Sequence, residues 1–169
     1  MLETLSERHP YTLRPANLED ADLMALLVRR AWAGTVAPES QGHRMTGGKV
    51  LARLERGGGG FLVEFEGQAI GTAQYSPLEL EPEVWEIMSI GILKEHRGKG
   101  LVDRLLELIE VWARRSKVRE LRLAVRQDAT TQKLISVYRR SGYEIDPALE
   151  YSGRNPLTVP PVVLKKVLA

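Results

Sequence analysis

A chain of 169 residues has room for one domain with a substantial core and is too short for two ordinary ones. Its 43% hydrophobic and 27% charged residues are those of a soluble globular protein, and a formal net charge of +2 is too small for the clustered basic footprint that nucleic acid demands. The lack of cysteine excludes disulfides, thiolate metal sites and a cysteine nucleophile, and His9, His43 and His96 stand far apart with no partner at metal-helix spacing, so no metal is expected.

Met1 to Pro10 carries Glu3, Glu7 and Arg8 where a secretory signal needs apolar residues, and no apolar run approaches the roughly 18 residues of a membrane helix. Cytoplasm is therefore the expected compartment, with no membrane partner. Tyr11 to Pro15 reads as a first strand, and Asn17 with Asp20 three residues on reads as a capping box opening a helix that ends at Gly34. The stretch from Gly34 to Gly47 is irregular. A short helix is predicted over Lys49 to Arg56, and the run Gly57 to Gly60 reads as a flexible connection. Phe61 to Glu66 and Gln68 to Tyr75 around Gly67 predict a β-hairpin, and Val84 to Leu93 a third antiparallel strand. Leu101, Val102, Leu105, Leu106, Leu108, Ile109, Trp112 and Ala113 set a broad helical face that ends near Lys117. Leu121 to Val125 predicts a buried strand, Thr130 to Ser141 a helix, and Tyr143 to Ile145 and Val162 to Leu168 the last strands. This order predicts an α/β fold (α+β by some schemes): a mixed central sheet of six to seven strands flanked by about four helices, in one domain over 1–169 with its chemistry in a core at 84–143. A strand, helix, strand unit from Val84 to Val125 places a ligand site at the carboxyl end of its first strand.

That end carries Arg97-Gly98-Lys99-Gly100-Leu101-Val102. Glycines let main-chain amides approach an anion, and the start of the next helix adds unpaired donors and partial positive charge. Arg97 and Lys99 add full charges, so the turn reads as a diphosphate cradle. It is not a P-loop, because Leu101 follows Gly100 where Lys belongs, nor a dinucleotide fingerprint, because Asp103 stands where a third Gly belongs.

The segment resembles the signature of the GNAT superfamily of acetyl-CoA-dependent N-acetyltransferases, Q/R-x-x-G-x-G/A, which Arg97 and Gly100 match while Val102 departs from it. Leu134 to Tyr143, ending in Ser141-Gly142-Tyr143, is similar to the family's late helix, with Thr131 where many members have Asn; Leu13-Arg14-Pro15-Ala16 and Glu19-Asp20-Ala21 are similar to its opening. The resemblance implies acetyl-CoA as co-substrate. It implies that the strand over Val84 to Leu93 splays from its parallel neighbour, that Ile90 and Ile92 offer main-chain groups to the pantetheine arm, with the Ile90 amide on the acetyl carbonyl, and that amides of Arg97, Gly98, Lys99, Gly100, Leu101 and Val102 bind the diphosphate. It further implies Glu86 as general base, Tyr138 as the acid for the departing thiolate, and a homodimer.

The expected acceptor is a primary amine of a small molecule, and the resemblance implies that the irregular stretch after the first helix and the loop before the motif strand line its site, which nominates Trp32, Glu39, His43, Arg44, Glu79, Glu81 and Glu83. A protein N-terminal or lysine acetyltransferase, and a non-catalytic acyl-CoA-binding module, are the alternatives at this stage.

Overall fold

The computed structural model describes residues 10–33, 44–153, 156–157 and 159–168. Among them, seven strands join in one sheet of order β1-β2-β3-β4-β5-β7-β6. They are β1 (Tyr11–Pro15), β2 (Gly59–Phe65), β3 (Gln68–Pro77), β4 (Val84–Ile92), β5 (Glu120–Val125), β6 (Glu144–Ile145) and β7 (Val162–Val167). Four helices cover it: α1 (Ala21–Trp32), α2 (Gly47–Glu55), α3 (Leu101–Arg115) and α4 (Thr131–Arg140). The α/β architecture expected from the sequence is the one observed.

Side-chain alternation along the strands sorts the core into two layers. On β2, Leu62 faces α1 and α2, where Met24, Ala25, Val28 and Val50 close over it. Phe61 and Val63 face the other way, into a larger core with Ile87, Leu121 and Leu123 from the sheet. That layer takes Leu101, Leu105, Leu106, Ile109 and Ala113 from α3 and Ile135 and Tyr138 from α4. The α3 residues recur at helical spacing, so one stripe is dry, and each fully buried Leu or Ile contributes roughly 1.5–3 kcal/mol.

Two local predictions need correction. The first helix does not start directly at Asn17: Leu18–Asp20 is a 3-10 turn that precedes α1. The Asp20 carboxylate turns back to accept from the Asn17 amide at 2.9 Å and is held by Arg14 at 2.9 Å, which tightens that turn. The glycine run is not a loose connection either. Gly59 and Gly60 are the first residues of β2, and a Cβ on them would lie 2.3 Å from the Tyr75 hydroxyl and 2.6 Å from the Ala73 carbonyl oxygen. Their small size lets β2 pass close to β3.

What positions the site is the relation of β4 to its neighbours. With β5 it pairs in parallel only from Val84↔Glu120 to Ile87↔Leu123. Residues 88–92 of β4 and Ala124–Val125 of β5 run on without pairing to each other, so the strands splay at their carboxyl ends. On the other side, the register with β3 shifts between Thr72 and Gln74, inserting one extra β4 residue at Ser89–Ile90, and Ser89 has φ +54°. This is a β-bulge: one residue drops out of the ladder and its main chain re-aims.

Candidate active site

The turn that leaves β4 is set by its glycines and by one arginine. Gly98 and Gly100 have φ of +76° and +74°, a region other residues rarely enter, and a Cβ at either would meet nothing within 4 Å. Conformation, not crowding, requires them. Gly100 is the N-cap of α3 and no side chain caps that end. The first amides of α3 therefore lack intrahelical acceptors and face outward with the positive end of the helix dipole. Lys99 is exposed beside them. Arg97 behaves differently: its Nε donates to the Ile92 carbonyl at 3.0 Å and its Nη2 to the Ala31 carbonyl, tying the end of β4 to the last turn of α1. Its guanidinium braces the turn, and its amide is also spent there, donating to the Lys94 carbonyl at 3.3 Å.

The splay between β4 and β5 is bridged by a pair that the sequence did not announce. The Trp32 indole Nε1 donates to the Ile90 carbonyl at 3.0 Å, and the Arg126 guanidinium, just after β5, lies over the same indole ring at 4.6 Å. Thr131, at the start of α4, spends its hydroxyl on the loop, donating to the Arg126 carbonyl and accepting from the Asp128 amide, both at 2.7 Å. It braces the base of α4 and is not presented to the cleft.

Glu86 is 5% exposed on the face of β4 that looks toward α2. Its Oε2 accepts from the Ser152 amide at 3.1 Å and its Oε1 from the Ser152 hydroxyl. Beside it, Arg53 of α2 reaches under the sheet and donates through Nη1 to Gln74 Oε1 and Ser89 Oγ, each at 2.9 Å. Burial pulls the Arg53 guanidinium below its ordinary value, with Tyr151 and Glu86 opposing. Arg53 had a detectable signal: it falls three residues after Val50, on the apolar side of α2, where a charge is out of place.

Tyr138 lies in the opposite layer, 8% exposed, its ring edge-on to Tyr143 at 6.4 Å. Burial raises the Tyr138 phenol to about 12, with Arg126 opposing. Burial also raises Tyr75, Tyr143 and Tyr151 above their ordinary value. A folded-state value above the unfolded one means that stability is intact while both states stay protonated and is lost once the unfolded state ionises first. The urea midpoint should hold nearly constant from about pH 7 to 9 and fall steeply above about pH 10, where free tyrosine titrates. A midpoint unchanged at pH 11 would contradict this placement of the tyrosines.

Of the nominated acceptor residues, Glu39 and His43 lie outside the described residues. Trp32 is at the cleft, as above, and Arg44 is exposed ahead of α2. Glu81 and Glu83 sit at the other end of β4, where they bind Arg119 at 2.8 and 3.3 Å, and Glu79 is exposed in the same loop. The acidic loop therefore belongs to the strand's start, remote from the splay. Among the described residues no group of three potential metal ligands occurs and no helix is long and apolar enough to cross a membrane.

Residues 24–143 match the acetyltransferase (GNAT) family. Among solved structures, the chain is similar to the ribosomal-protein-alanine N-acetyltransferase of Brucella melitensis, at 23% identity and a TM-score of 0.72 over 93% of this chain and 99% of that one. It is similar to the PaiA N-acetyltransferase of Thermoplasma acidophilum in complex with coenzyme A, at 16% identity and a TM-score of 0.73 over 95% and 100%. It is also similar to the phosphinothricin acetyltransferase of Sinorhizobium meliloti in complex with acetyl-CoA, at 19% identity and a TM-score of 0.73 over 95% and 89%. These three likenesses carry the fold. A comparison with curated proteins finds no match. The family match spans the splayed strands and the glycine turn together, and the chain belongs to the GNAT family of acetyl-CoA-dependent acetyltransferases.

Proposed function

We propose that the protein transfers acetyl from acetyl-CoA to the primary amine of a small molecule by direct attack, with Glu86 as base and Tyr138 as acid. The observation that carries this reading is the parting of β4 from β5 beyond Ile87, with Glu86 on one face of the sheet and Tyr138 in the layer on the other. The amides of Gly98, Lys99, Gly100, Leu101 and Val102 hold the diphosphate, and Arg97, whose own amide is bonded to Lys94, braces the turn that presents them. Ile90 and Ile92 hold the pantetheine arm by their main chain, and the bulge aims the Ile90 amide at the acetyl oxygen, where it stabilises the negative charge that develops on attack.

An alkylammonium titrates near roughly 10.4, so at neutral pH the acceptor arrives protonated and cannot attack. Glu86, held by Ser152 through both oxygens, keeps free lone pairs and takes that proton directly or through water. The nitrogen then bonds to the acetyl carbon and the carbon–sulfur bond breaks. Tyr138 gives its phenolic proton to the sulfur and is restored by the proton the nitrogen sheds. Raised to about 12, the phenol stays protonated at any working pH.

The test is thiol release across amines, amino acids, polyamines, aminoglycosides and peptides. With the best acceptor, Glu86→Gln should be slower by about tenfold or more at pH 7, and the deficit should shrink toward pH 10 as the free amine becomes abundant. Wild-type rates for this variant at pH 7 would remove Glu86 from the mechanism.

A further inference from the structure

We infer that Arg53 is an anion-recognition residue and that the acceptor carries a carboxylate beside its amine, as an amino acid does; this rests on the acetyltransferase reading above. What sets Arg53 apart is an imbalance of donors. Arg53 is half-buried on α2, and its two hydrogen bonds both leave from Nη1, to the neutral oxygens Gln74 Oε1 and Ser89 Oγ. Its Nε and Nη2 donate to no described residue, and no described carboxylate lies within the 4.0 Å of an ion pair. Other arginines, Arg14, Arg114, Arg119 and Arg122 among them, pair with carboxylates.

Gln74 supplies the second observation. It is 1% exposed, and because its oxygen must face the guanidinium, its Nε2 is left buried with no partner. A buried unpaired amide donor is a cost that proteins rarely carry without reason. Here it fixes Nη1 so that the planar fork of Nε and Nη2 is presented in one orientation. The groups around Gln74 and Arg53 that lack a partner among the described residues, Gln74 Nε2 and the Nε and Nη2 of Arg53, are donors, so the partner that complements them is an acceptor. A planar carboxylate matches that fork with two parallel hydrogen bonds.

The spacing agrees. In the β3–β4 ladder Gln74 pairs with Met88 and Ser76 with Glu86, so the anchor of Arg53 and the proposed base are two residues apart on one face. That is about 7 Å along the strand, a gap that one amino acid's amine and carboxylate bridge when each adds a hydrogen bond. Ser89, the other anchor, is the left-handed residue of the bulge next to Ile90, so the carboxylate is held beside the acetyl-binding amide.

The experiment measures thiol release with L-amino acids, their carboxamides and the amines left by decarboxylation, for the wild type and for Arg53→Gln and Arg53→Lys. The wild type should favour the acids at least tenfold in kcat/KM. Arg53→Gln should lose about a hundredfold on the acids, mainly through KM, and less than threefold on amides and amines, with Arg53→Lys in between. A wild type that uses amides or amines as well as acids overturns the inference without any variant. So does an Arg53→Gln that loses equally on all three, which is the behaviour of a mere clamp. If coenzyme A binds but no carboxylate-bearing amine is acetylated, the inference falls and the family assignment stands; if coenzyme A does not bind at all, the reading beneath it falls as well.

Discussion

Replacing Tyr138 with Phe is expected to lower kcat by about two orders of magnitude, the effect of losing one positioned proton donor. Affinity for coenzyme A and the melting temperature should stay close to wild type. The separation follows from where Tyr138 sits. Its ring fills the α3–α4 layer beside Tyr143, so Phe keeps the volume and the dry contacts. What Phe removes is one hydroxyl in a nearly buried setting near Arg126, whose charge is the one influence opposing the rise of the phenol to about 12. A thiolate leaving without that proton makes a poorer product, so the loss should appear in kcat and not in the KM for acetyl-CoA. Retention of kcat within about threefold would assign Tyr138 to packing alone.

The second large effect is expected at Gly100. A β-branched residue at φ +74° is a conformational outlier even though the space around a Cβ there is open, so Gly100→Val must either hold a strained backbone or re-fold the start of α3. The strain is roughly 1–2 kcal/mol, enough to lower the melting temperature by several degrees. Binding should suffer more. In the proposed binding mode the amides of Leu101 and Val102 point at the anion only while Gly100 stays left-handed, and losing two of them should weaken coenzyme A by about a hundredfold. Calorimetry on the folded variant reads this directly. Unchanged affinity would mean that the anion sits elsewhere.

Much of this was legible in the residues. The apolar spacing of Leu101 to Ala113 fixed a helix with a buried stripe, the Phe61 to Tyr75 hairpin followed from alternation around Gly67, and the glycine turn lay where a strand gives way to a helix. Asn17 and Asp20 formed the expected capping box, although the turn they cap is 3-10. The rest depended on contacts between distant segments. Nothing local in Arg97 tells that its guanidinium closes on Ala31, 66 residues away, and nothing in Ser152 tells that it holds Glu86 across the same separation. The Trp32–Arg126 stack needs the splay to exist before the two can meet. Glu81 and Glu83, nominated for the acceptor site, are instead paired with Arg119, which the end of the crossover brings to both.

In the proposed mechanism main-chain donors in the turn after β4 grip the acyl carrier. Amide hydrogen exchange, recorded with and without saturating coenzyme A, reads those donors one by one. Protection should rise at Gly98 to Val102 and at the bulged stretch Ser89 to Ile92, with little change at β1 and β2. Saturation of the protein by coenzyme A with no added protection in the Gly98 to Val102 amides would contradict the account.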